Sequence, residues 1–159
     1  MVIETKIEAV DPGGTIIVFT YGSIFGLIVS FILGKKIVPN SSIEDGYQSQ
    51  ILALIGTFLL WTFFPIFNFS LTAITYLERT LAIINTTLSM AGSTIAMTVM
   101  TAIYKESLSM LILHRAAILG GIVMGSSSFF VYHPAISLSF GVVGGICGFF
   151  CLRHLQGRF

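Results

Sequence analysis

Charge is what this sequence has least of. Lys, Arg, Asp and Glu together make up 9% of its 159 residues, where a soluble domain carries about 25%. So few charges cannot coat a water-facing surface, which excludes an ordinary soluble enzyme. Hydrocarbon is the solvent that asks for no such coat. A formal net charge of +1 leaves no extended basic face for nucleic acid. The histidines, His114, His133 and His154, stand too far apart to read as a metal site. Cysteine is as scarce: Cys147 and Cys151 exclude a disulfide framework, and read either as a redox or acylation pair or as two small apolar helix residues. No nucleophile–base set, phosphate-cradling glycine loop or pair of carboxylates stands out, so neither catalysis nor a cofactor is expected. The polar segment 1–10 lacks the basic and apolar regions of a secretory signal peptide.

What is abundant is apolar. Hydrophobic residues are 55% of the chain, and the mean hydropathy is +0.94. Five apolar stretches follow one another, at about 14–33, 51–73, 82–103, 110–132 and 135–152. At 1.5 Å per residue, each crosses or nearly crosses a hydrocarbon core of about 30 Å. The expected fold is therefore all-α and membrane-embedded, a single domain over 1–159 with the lipid bilayer as its surroundings. The breaks hold most of the charges: Lys35, Lys36, Glu44 and Asp45, then Glu78 and Arg79, then Lys105 and Glu106. His133-Pro134 leaves room only for a very short turn. Lys6 and Arg79 fall on one side of the membrane, and Lys35, Lys36, Lys105, Arg153 and Arg158 on the other. The excess of basic residues places the N-terminus outside and the C-terminus in the cytoplasm. That arrangement, without an entry signal, suits a segment from the middle of a larger protein.

Glycine spacing suggests how the helices meet. Gly22 and Gly26, Gly121 and Gly125, and Gly141 and Gly145 (overlapped by Gly144 and Gly148) are each four apart, the spacing that lets membrane helices approach closely. Asn68 and Asn85 are polar at membrane depth and are candidates for hydrogen bonds to a neighbouring helix. Both begin glycosylation sequons, as does Asn40, but Asn68 and Asn85 lie too near the bilayer and Asn40 falls on the cytoplasmic side. His114 and Arg115 sit where their tips can snorkel to the interface. The run Trp61-Thr62-Phe63-Phe64-Pro65-Ile66-Phe67-Asn68 carries a proline inside an apolar span. It reads either as a hydrophobic constriction beside a bent helix or as plain core packing.

These residues carry a resemblance. Ile55-Gly56-Thr57-Phe58-Leu59-Leu60-Trp61 followed by Pro65-Ile66-Phe67-Asn68 resembles the signature span of the Rh family, the Rh glycoprotein and ammonium channel group. Asp11-Pro12-Gly13-Gly14-Thr15 resembles the family's entry motif, and Tyr21-Gly22-Ser23-Ile24-Phe25-Gly26-Leu27 continues that helix. Arg79 to Asn85-Thr86 and His114 to Gly120-Gly121-Ile122-Val123-Met124-Gly125 follow in the same order, so the likeness covers nearly the whole chain. It implies a helical bundle of the ammonium transporter type, assembled as a trimer with one narrow, apolar pore per subunit that passes ammonia or ammonium. The five spans match the central helices of that fold, so the chain is expected to be truncated.

The resemblance also assigns roles. Asp11 matches an acidic residue of the outer vestibule, and Phe67 matches a phenylalanine of the outer gate. Phe19 stands eight residues after the aspartate, where transporting members have the first pore histidine; the second would lie on a helix beyond this sequence. Phenylalanine has no lone pair for a permeating ammonia and cannot relay a proton. Phe19, with Leu113-His114-Arg115-Ala116, looks closer to the red-cell blood-group branch, whose members act as plasma-membrane partners of other Rh subunits. Two functional readings follow: a structural or partner subunit in such a trimer, or a small oligomeric channel for ammonia or another neutral gas.

Overall fold

The computed structural model describes residues 11, 14–33, 46–70, 75–106 and 108–156. The charged connectors at Lys35, Lys36, Glu44 and Asp45, the sequon at Asn40, Pro12 and Gly13, the end of the second span at 71–73, and Lys6 and Arg158 lie outside the described residues. Those described form five long helices and no strand: α1 (Thr15–Leu33), α2 (Tyr47–Ser70), α3 (Tyr76–Ile103), α4 (Met110–Met124) and α5 (Pro134–Gln156). All five are long and apolar enough to cross a membrane, α4 when its span is counted to Ser127.

The ends of the helices follow local chemistry. α3 begins at Tyr76, earlier than its apolar stretch, because Glu78 accepts the Thr75 backbone N–H (3.2 Å) and closes the first turn. α5 runs on to Gln156, with Arg153 and His154 in the last turn, where cations suit the helix dipole. α2 continues through Pro65, which is buried within it. α4 is the exception. Fifteen residues reach roughly 22 Å at 1.5 Å each, short of the hydrocarbon thickness. The rest of the expected 110–132 span is a 3-10 turn at Gly125–Ser127 followed by irregular backbone. Such backbone is tolerated at depth only when protein covers it and satisfies its polar groups. Asn85 of α3 does so, its side-chain amide donating to the carbonyls of Ser128 (2.7 Å) and Val131 (2.6 Å).

α3, α4 and α5 pack backbone against backbone. Ser89 and Ser93 on α3 donate to the carbonyls of Gly120 and Ala116 on α4, both at 2.7 Å, which fixes the two helices antiparallel. On its other side α3 meets α5. A Cβ built on Gly145 would lie 2.6 Å from the Ser93 carbonyl oxygen, and one on Gly141 would collide with the Ser89 backbone. A Cβ on Gly120 would stand 2.6 Å from the Met90 Cα. Three main chains therefore converge at Ser89, and only glycine admits the approach. Between α4 and α5, Leu119 fills the space over Gly148, and Val123 that over Gly144. α2 lies against α3 and α4. α1 meets α4, the 3-10 turn and, through Phe19, Phe64 of α2, all from its first half. Gly22 and Gly26, expected to pack a helix, have nothing within 4 Å of an added Cβ. The reason is position: both lie beyond the stretch of α1 that meets its neighbours.

Candidate functional site

The place where α1, α2 and α4 meet is built from aromatic rings. Phe64 of α2 is 6% exposed and forms a core with Met90 of α3 and Ala117 of α4. Gly121 lets its ring lie directly on the α4 backbone, since any Cβ there would strike the ring edge. Phe19 of α1 stacks on Phe64, with centroids 5.8 Å apart and planes 20° apart. Phe67, one helical turn after Phe64, presents its edge to that ring at 6.4 Å. Phe19, Phe64 and Phe67 thus form a continuous aromatic run, with Trp61, Leu60 and Ile122 packed around its centre. Offset or edge-on ring contacts of this kind contribute about 0.5–1.5 kcal/mol each beyond burial.

Polar groups hold the junction in place. Asn68, fully buried beside Phe67, donates to the Thr86 hydroxyl of α3 (3.2 Å) and to the Gly121 carbonyl of α4 (3.4 Å). One amide therefore ties α2 to both neighbours at the level of the rings. The start of α1 is fixed separately. Gly14 takes φ +62°, closing a turn in which its N–H reaches the Asp11 carbonyl (3.1 Å). The Asp11 carboxylate then accepts the Ile17 N–H at 3.0 Å, an anion at a helix N-terminus. Thr15 is fully buried over Gly125, where a Cβ would come within 2.5 Å of its hydroxyl. Asp11 is thus a helix anchor by its contacts, and Thr15–Gly125 is the clamp that brings Phe19 to Phe64.

Of the residues singled out from sequence, Phe19 and Phe67 share this junction with Asn68, Gly121 and Gly125, while Gly141 and Gly145 lie on the far side of α3. Gly22 and Gly26 belong to neither group. Sequence reasoning named Phe64, which links the two other rings, only as one member of the run at 61–68, and gave no packing role to Gly92 and Gly120, where helix backbones meet. The spacing of Phe64 and Phe67, one turn apart on one helix face, was the available signal. His114 lies further along α4, packed over Gly56. Thr57 donates to the Ala53 carbonyl (2.7 Å), so its contact with His114 Nδ1 (3.2 Å) requires the imidazole N–H to be the donor. Among the described residues no group of three or more His, Cys, Asp or Glu side chains is placed to hold a metal.

A sequence model of the Ammonium Transporter Family matches residues 2–159. The ammonium transporter Rh type B of Homo sapiens is 36% identical over 139 residues, 85% of this chain and 30% of that protein. The ammonium transporter Rh type C of Tetraodon nigroviridis is 32% identical over 151 residues, 92% of this chain and 31% of that protein. The chain therefore spans about 30% of the length of these relatives. Among solved structures, the Rh50 channel of Nitrosomonas europaea superposes with a TM-score of 0.72 at 29% identity, covering 85% of this chain and 35% of that one.

Proposed function

This chain is an integral membrane protein that belongs to the ammonium transporter family, within its Rh group, and from that premise we propose that it serves as a partner subunit of an Rh-type assembly devoted to ammonia or ammonium passage. The observation that carries the reading is Phe19 stacked on Phe64. By resemblance, Phe19 occupies the position of a pore imidazole. A phenyl ring there gives a permeating ammonia no acceptor and a proton no relay. The run of rings from Phe19 to Phe67 is a hydrophobic constriction in character. It supports a role in shaping or sealing an aperture rather than in proton-linked conduction. Asp11 anchors the outer end of α1, and Phe67 is the ring presented toward the outer gate. The assembly is a trimer in the plasma membrane, with the N-terminus outside and the C-terminus cytoplasmic.

Liposomes loaded with a pH-sensitive dye test this directly. With the full chain alone, an ammonium pulse is expected to alkalinise the lumen no faster than in empty vesicles. Co-expressed with a conducting Rh glycoprotein, the chain is expected to co-purify with it. Saturable ammonia flux through the chain alone, lost in Phe67→Ala, would defeat the partner reading in favour of a small oligomeric channel.

A further inference from the structure

Ionisable side chains gather at the end of the bundle where α3 stops, α4 starts and α5 closes. α3 ends in a six-residue closure: the Lys105 N–H reaches the Ala102 carbonyl and the Glu106 N–H reaches that of Thr101, both at 3.1 Å. Lys105 occupies the left-handed position of that motif, with φ 54°, where glycine is usual. A cation is thus kept there against the preference of its backbone. Beside it a cavity of about 40 Å³ opens between the three helices, lined by Thr101, Glu106, Arg115, Phe149 and Arg153 among others. That is room for a few water molecules or one small oxyanion. The Arg153 guanidinium lies 4.2 Å over the Tyr104 ring, which in turn packs on Phe149 at 5.2 Å. The ring holds the guanidinium of Arg153, which lines the cavity, in place. Glu106 is 3.8 Å from Arg153, too long for a hydrogen bond, with both side chains more than 40% exposed. Arg115 comes from the second turn of α4 and is half-buried. Two guanidinium groups, of Arg115 and Arg153, and one carboxylate, of Glu106, line this pocket.

We propose that this pocket binds a phosphate group. Guanidinium forks match phosphate oxygens in pairs. Basic pockets between membrane helices at the level of the headgroups are where such oxyanions are met. The source is either an anionic phospholipid headgroup or a free phosphate ion. The five apolar spans put the headgroup within reach.

The test uses the full chain in neutral detergent, following its thermal unfolding midpoint as phosphatidylglycerol, phosphatidylcholine or inorganic phosphate is added. Phosphatidylglycerol is expected to act at a concentration about tenfold lower than phosphatidylcholine. R115Q and R153Q, singly and together, are expected to bring that ratio close to one, the single variants serving if the double one misfolds. R79Q, at the opposite end of α3, is expected to leave the ratio unchanged. E106Q is expected to tighten phosphatidylglycerol binding several-fold, because a competing carboxylate has gone; an ion pair with a purely structural role would not produce that gain. Displacement of the lipid by inorganic phosphate supports the pocket with a soluble source, and resistance to displacement supports it with a lipid one. Equal action of the two lipids, or a preference that survives R115Q and R153Q, overturns the proposal.

Discussion

α1 and α5 carry the same small-residue spacing and put it to opposite use. On α5, Gly141 and Gly145 bring the helix onto the main chain of α3 at Ser89 and Ser93. On α1, Gly22 and Gly26 face open space. The apolar span of α3, at the centre of the packed unit, is 44% buried, and that of α1 only 6%. Glycine spacing is therefore permission for a close approach rather than its cause. What brings α3 to α5 is the coincidence of glycine with a serine hydroxyl already turned toward α4, so that three helices share one contact. α1 has no such partner, and it packs on its neighbours at one end, through Thr15 on Gly125 and Phe19 on Phe64.

The largest expected effect tests the close approach itself. Gly120→Ala and Gly141→Ala each force a methyl group into neighbouring backbone, which cannot move as a side-chain tip can. Each is expected to destabilise the chain by about 1–3 kcal/mol, Gly141 the more, because its methyl would come closer to neighbouring backbone. Denaturant or thermal unfolding in detergent reads this, and near-neutral values would mean that the three-helix unit is looser than its geometry. An effect of the same order, but local to one turn, is expected from Asn85→Ala. It removes the donor shared by the Ser128 and Val131 carbonyls, at a cost of about 1–3 kcal/mol for buried groups left unsatisfied. The expected sign of hydrogen–deuterium exchange is faster exchange at 125–133, with α1 unaffected. The smallest effect runs the other way. Gly22→Ala and Gly26→Ala are expected to stabilise α1 by up to about 1 kcal/mol through helix propensity alone. A loss of stability at either position in the purified chain would show a neighbour on that face and erase the contrast between the two helices.

Much of this was legible in the sequence. Apolar run length identifies the helices because each must satisfy its own backbone in lipid. Charge scarcity gave the solvent. The places where reading and structure part are informative. α3 starts before its apolar stretch because Glu78 caps it, and a hydropathy window sees only an interrupting charge. The 110–132 stretch stays apolar past Met124, so hydropathy runs it on as helix, while the glycine and serines at 125–128 turn the chain. The pairing of Phe19 with Phe64 joins residues forty-five positions apart, and no periodicity within one helix reports on a contact between two. Gly22–Gly26 and Gly141–Gly145 look alike in sequence for the same reason.

The short α4 has a consequence for how the protein is made. Released into lipid by itself, this segment would bring a stretch of uncapped carbonyls into hydrocarbon, which is costly to insertion. The donor that covers those carbonyls, Asn85, is on α3, and α3 leaves the ribosome first. The serines that bind the Gly120 and Ala116 carbonyls are on α3 as well. α4 thus inherits a prepared seat from the preceding helix, and the translocation machinery would hand over the two as a hairpin. In the Asn85→Ala chain, a topology reporter placed after residue 133 would then register stalled or reversed insertion at this step, even where the finished bundle tolerates the change.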